Sequence, residues 1–215
     1  MDRCAYTRML IYHNAAPMMP KFQEALEKGD LNALRHCAKS DLHNHGIGGG
    51  DRAFLLERTG RDIAPLNRSL SSIAGMHAWV DENVDGIFAG REGRLLAFEA
   101  ALVLARRDGV TRLEIGEDVW ASTLFDGSAA ELTRELRQVH SRVAPAMEWI
   151  AQIGLSRHCA IGDLERWLPP FLAAGFYRTL DLSGDEFAQP QCLPDFQSDA
   201  RTRRRPGITS DPKAL

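Results

Sequence analysis

The sequence predicts an α/β fold built on a parallel sheet, and three observations carry that expectation. From residue 110 onward, strand-like and helical runs alternate: 110–120 reads as a strand, 129–143 as a helix, 147–155 as a strand, 161–174 as a helix and 177–182 as a strand. Strands that alternate with helices of this length imply βαβ units, whose crossovers keep the strands parallel. Just upstream, 91–107 carries a wide apolar stripe of Leu95, Leu96, Phe98, Ala101, Leu102 and Ala105, closed by Asp108-Gly109. A short extended run, 40–45, ends directly at a glycine cluster, Gly46-Ile47-Gly48-Gly49-Gly50. Parallel crossovers place the C-terminal ends of such strands on one side, where α/β folds carry their sites.

The elements follow in order. Residues 1–20 have no clear period and are interrupted by Pro17 and Pro20, so they read as a loose leader. They contain no unbroken apolar stretch of the kind a secretory signal needs. In 21–37, Phe22, Leu26, Leu31 and Leu34 can share one face of two short helices broken at Gly29-Asp30, with Asp30 capping the second. Helical character resumes over 51–58, and 59–72 is a polar connection. Residues 73–88 read as a helix with Met76, Trp79 and Val80 turned inward. After Pro190 the periodicity stops. Residues 191–215 carry Pro194, Pro206, Pro212 and a basic run, Arg201-Thr202-Arg203-Arg204-Arg205, and read as an irregular tail. One domain over 21–190 is expected.

Composition narrows the class. A chain of 215 residues that is 44% hydrophobic and 26% charged, with net charge -3, can bury a sizeable core. These values argue against a disordered chain, a collagen-like chain and a strongly basic nucleic-acid binder. The tail's arginine run lacks interleaved aromatics and reads as solvated. No run of 18 apolar residues occurs, so no spanning helix and no membrane partner is expected. Cys4, Cys37, Cys159 and Cys192 lie far apart with no CxxC pair, which fits reduced thiols and a cytoplasmic location.

His43-Asn44-His45 is the sharpest chemical feature. In a strand, residues i and i+2 point to the same face, about 7 Å apart at their Cα atoms, so two imidazoles can converge on one metal. The same spacing suits two surface histidines. The glycine cluster is not a GxGxxG, since Asp51 stands at the sixth position, and it reads as a flexible turn that lets a ligand approach. Asp181-Leu182-Ser183-Gly184-Asp185-Glu186 groups carboxylates around a glycine at another strand end, and Gly184 can offer its backbone N–H to a ligand. Arg157, at a third strand end, can pair with Asp181 or Asp185 or hold a ligand. Trp120 stands at the same rim, where packing is its default role. No HExxH, GxSxG or small-deaminase zinc signature is present.

Taken in order, these motifs resemble the adenosine deaminase family of metal-dependent hydrolases. Lys39-Ser40-Asp41-Leu42-His43-Asn44-His45 looks like that family's first-strand segment. Arg178-Thr179-Leu180-Asp181-Leu182-Ser183-Gly184-Asp185-Glu186 looks like its fourth-strand segment, and the Ser156-Arg157-His158 strand end fits between them. The resemblance implies a (β/α)8 barrel with one catalytic divalent metal, zinc, at its C-terminal rim. It implies His43 and His45 as metal ligands, and Gly184, Asp185 and Arg157 on the substrate side, with the Gly184 N–H directed to a purine ring nitrogen. The implied activity is hydrolytic deamination of an aminopurine nucleoside or related amino-heterocycle.

Two departures shape the expectation. Ile47 stands where the family has an aspartate that contacts ribose. No histidine follows His158, so the family's later motifs, with their third histidine ligand and glutamate, are not seen. A full barrel of this kind takes about 250 residues. The expected structure is therefore about the first half of a barrel with N-terminal helices, apparently truncated after its fourth strand. No catalytic residue is assigned, and little or no deaminase activity is expected from this chain alone. The open sheet edge is expected to favour self-association. Two alternatives stand beside this reading: a non-catalytic half-barrel remnant that binds a metal or a partner, and a small α/β ligand-binding module without metal.

Overall fold

The computed structural model describes residues 19–184, apart from 85 and 158. Most of the expected leader and the whole expected tail lie outside the described residues. Two short helices, α1 (Met19–Glu27) and α2 (Leu31–His36), lead into strand β1 (Lys39–His45). Three helices follow, α3 (Arg52–Thr59), α4 (Ile73–Asn83) and α5 (Gly90–Arg107). Strand β2 (Val110–Asp118) runs into a short 3-10 helix, Val119–Leu124, and then α6 (Ala129–Val143). Strand β3 (Glu148–Ser156), α7 (Ile161–Ala173) and β4 (Thr179–Ser183) complete the described chain.

All four strands are parallel and lie in the order β1-β2-β3-β4. Successive parallel strands joined by helices curl into half of a (β/α) barrel. The sequence-based fold class therefore stands: α/β, with the first half of a barrel preceded by N-terminal helices.

One face of the sheet is covered by helices. Leu113 and Ile115 of β2 and Ile153 of β3 are fully buried against Phe98 and Leu102 of α5, Leu132 and Leu136 of α6, and Phe171 of α7. Burying side chains of this size contributes about 1.5–3 kcal/mol each. A second, smaller cluster of Leu55, Ile63, Val84, Ile87 and Ala100 packs α3 and the end of α4 onto α5. Local signals set the helix ends. The side chains of Asp30, Asp51, Ser72 and Ser128 each accept the backbone N–H three residues on and so cap α2, α3, α4 and α6. Gly109 takes a left-handed φ of 78° after α5, and a Cβ there would overlap the Arg35 carbonyl oxygen.

Three expectations about packing and element ends are corrected. Met76 is 39% exposed and only Trp79 and Val80 of α4 pack inward. The helix ends at Asn83, five residues before the expected boundary, because Val84 already caps it. The face shared by Phe22, Leu26 and Leu31 is exposed rather than core-facing, so those residues contribute little burial. Among the described residues, no helix is long and apolar enough to cross a membrane.

Candidate metal centre

The face of the sheet that no helix covers among the described residues carries the candidate site, and a bulge in β1 decides which residues reach it. Asp41 pairs with Leu113 and Asn44 with Ile115, so β1 spends three steps where β2 spends two. An extra residue in one strand of a pair is a β-bulge, and it turns the following side chains over. Asn44 therefore faces the helices, where its amide donates to Asp41 Oδ2 at 2.8 Å. His43 and His45 face the open side.

There the two imidazoles meet. His43 Nε2 and His45 Nε2 lie 3.1 Å apart, with the rings crossed at 89°. Two ligand nitrogens on one tetrahedral zinc, each bonded at 2.0–2.1 Å, stand about 3.3 Å apart. The spacing in this chain is close to that value. The third member is Asp181 of β4: its carboxylate and the two ring nitrogens all lie within 4.8 Å of one another. The sheet must curl for β1 and β4 to meet in this way, since β2 and β3 lie between them.

Glycines make the convergence possible. His45 is level with Gly116 in β2, and Asp181 is level with Gly154 in β3. The strand next to each ligand thus carries no side chain at its level, while Gln152 of β3 and Asp118 of β2 stand one strand further on. A Cβ at Gly116 would overlap the Gln152 carbonyl oxygen, so the close approach of β2 and β3 requires glycine there. Lower on the same face, the Gln152 amide donates to Glu114 Oε1 at 3.0 Å, and Arg112 lies 3.5 Å from Glu148. The donor set of two imidazoles and one carboxylate, partly open to solvent, fits a divalent cation of the zinc class.

The other residues singled out in the sequence fall as follows. Arg157 follows β3, and its backbone N–H donates to the Ser183 carbonyl at 3.0 Å, tying the third strand end to the fourth. Gly184 follows β4 with φ 112°, a conformation that favours glycine. Asp185 lies outside the described residues. Trp120 belongs to the 3-10 helix rather than to the end of β2, and its ring stacks on the Arg94 guanidinium at 4.5 Å.

The glycine cluster is an open turn only in part: Gly48, with φ 91°, is exposed and would meet nothing with a Cβ, but its neighbours pack. Gly46 packs on Glu117, Gly49 on Asn44, and Gly50 on Ala100 of α5, each so closely that a Cβ would collide. Gly46, Gly49 and Gly50 serve close backbone approach.

Asp181 as a partner of the histidines was missed in the sequence, which offered it only as one carboxylate among several. Alternation along β4 places 181 and 183 on one face, but nothing local says that this face meets β1.

Just behind the site lies a buried ionic group. Arg94 of α5 donates from Nε to Glu117 Oε2 at 2.8 Å, and its terminal NH2 nitrogen reaches the same oxygen at 2.6 Å and Asp118 Oδ2 at 3.2 Å. Glu117 is buried, and its other oxygen, Oε1, has no hydrogen-bond partner among the described residues. Burial pushes the Glu117 carboxyl up to about 7, more than the Arg94 charge and hydrogen bond pull it down, and the Asp118 charge adds to the rise.

No protein-family model matches the sequence, and no curated protein matches it. Among solved structures, the chain is similar to an adenine deaminase from Arthrobacter aurescens, at 18% identity and a TM-score of 0.49, over 70% of this chain and 50% of that one. The chain thus spans half the length of that structure.

Proposed function

We propose that this chain is a deaminase-like metal-dependent hydrolase whose single divalent cation, zinc, is held by His43, His45 and Asp181. The observation that carries the reading is the convergence of those three ligand atoms within 4.8 Å on one face of a parallel half-barrel. The motifs that resemble the adenosine deaminase family supply the reaction class: hydrolysis of an amino group from a small heteroaromatic molecule, an aminopurine or its nucleoside. A zinc ion in such a site supplies a water whose pKa is lowered to about 7. The chain's own residues then divide the work. The histidines bind as neutral imidazoles, Asp181 adds a negative ligand, and Gly184 and Arg157 line the substrate side, with the Gly184 N–H directed at a ring nitrogen. Among the described residues no glutamate is assigned to general acid–base work, a role worth about 10²–10⁴-fold, so slow turnover is expected even with zinc bound.

Calorimetric titration of the full chain with zinc tests the metal. One equivalent should bind, and the melting temperature should rise, since a ligand at 100 times its Kd stabilises by about 2.7 kcal/mol. His43→Ala and Asp181→Asn should each abolish both effects. A zinc-indifferent chain would show that the two histidines merely hydrogen-bond to each other.

Among the described residues no strand pairs with the outer edge of β4, which favours a second reading, a half-barrel that binds a partner. Leu180 and Leu182 point to the helix side, yet are 58% and 52% exposed. Unpaired edges and exposed leucines promote association. Sedimentation of the purified chain should therefore show concentration-dependent self-association that Leu180→Lys/Leu182→Lys weakens. A single monomeric species at all concentrations would count against it.

A further inference from the structure

The glycine after the second histidine touches a buried acid that the metal chemistry does not use. Gly46 follows His45 directly, and its N–H donates to the Gly116 carbonyl at 3.2 Å. A Cβ at Gly46 would overlap Glu117 Oε1. The φ of Gly46 is not in the left-handed region, so the backbone itself tolerates any residue there. Glycine is required because the carboxylate occupies the space. That carboxylate cannot readily move aside. Arg94 grips its other oxygen with two nitrogens, Asp118 and the Trp120 ring hold Arg94 in turn, and Oε1 is buried without a partner of its own among the described residues. An orphaned buried oxygen is costly, about 1–3 kcal/mol, and its retention calls for a reason.

We propose that Glu117 is a positioning residue for the metal centre: clamped by Arg94, it is the stop on which the Gly46 backbone rests, and it thereby sets where His45 stands relative to His43 and Asp181. The inference rests on the metal reading above. It extends the site through the sheet, from the open face that carries the ligands to the helix side that carries the clamp. Outer-shell partners of ligating histidines commonly change metal affinity 10–100-fold. Here the outer partner acts on the ligand's backbone rather than on its ring.

Two single variants and their combination test it in the full chain, with zinc alone as the probe. Gly46→Ala pushes the backbone off the carboxylate. Glu117→Asp keeps the charge facing Arg94 but withdraws the stop by one methylene. Each should weaken zinc binding 10–100-fold by calorimetry and alter the visible spectrum of the cobalt-substituted protein. The urea midpoint, read without metal, should account for none of that loss. In the double variant the added methyl fills the vacated space, and affinity should return to within about threefold of the starting chain. Zinc affinity unchanged in both single variants, with binding still lost in His43→Ala, overturns the positioning role and leaves the metal reading intact. Additive losses in the double variant overturn it as well. No zinc binding by the unsubstituted chain overturns both.

Discussion

Replacing Arg94 with methionine should destabilise the chain by about 3–5 kcal/mol at pH 8, the cost of leaving a buried charge without its partner. Arg94 and Glu117 are both buried, and the 2.6 Å contact between them joins α5 to β2. Methionine fills much of the same space, so the loss isolates the charge rather than a cavity. The variant also forfeits the stacking of Arg94 on Trp120, at 4.5 Å between guanidinium carbon and ring centre. Urea unfolding followed by circular dichroism measures the change. The double variant Arg94→Met/Glu117→Leu should recover most of it, because a buried ion pair exchanged for apolar groups is often neutral or stabilising. A loss below about 1 kcal/mol in the single variant would mean that the pair is better hydrated than its burial indicates.

Glu117 should also give the chain an acid-side stability bias. Its carboxyl is pushed up to about 7 in the folded state, against an ordinary value of 4.5. The folded chain therefore binds this proton more tightly than the unfolded chain. The stabilisation is fully present below pH 4.5 and is lost as the pH rises toward 7, a change of about 3 kcal/mol. Other groups slope the opposite way. Burial works against the charge on Asp51, but hydrogen bonds from the Phe54 amide and Arg107 outweigh it and hold its pKa low. Comparison with Glu117→Gln removes such terms. The unfolding free energy of the unsubstituted chain minus that of Glu117→Gln should fall between pH 4.5 and pH 7 and stay level above pH 7.5. A difference that is flat across that window would show that Arg94 keeps Glu117 ionised throughout.

Alternation of period and helix-end chemistry determined the architecture of this chain. The apolar stripe of α5, the Asp30 cap, and the strand runs read at 110–120, 147–155 and 177–182, each within two residues of the observed strand ends, are local properties, readable because each residue's role depends on near neighbours. The pairing of His43 with His45 was legible for the same reason, since residues two apart in a strand share a face. Which face they share was not legible. The bulge between Asp41 and Asn44 turns the histidines to the open side, and it exists only as a mismatch in register with β2. Asp181 joins them because the sheet curls across glycines at 116 and 154, a relation among four strands that no local window contains. The glycine run after β1 misled for a related reason. Glycine permits both an open turn and close packing, and only the arrival of Glu117 and Ala100 from distant segments decided that Gly46 and Gly50 pack while Gly48 stays open. Local pattern determined which residues could carry chemistry, and tertiary contact decided which of them meet, because ligand atoms converge only when strands far apart in sequence are brought together.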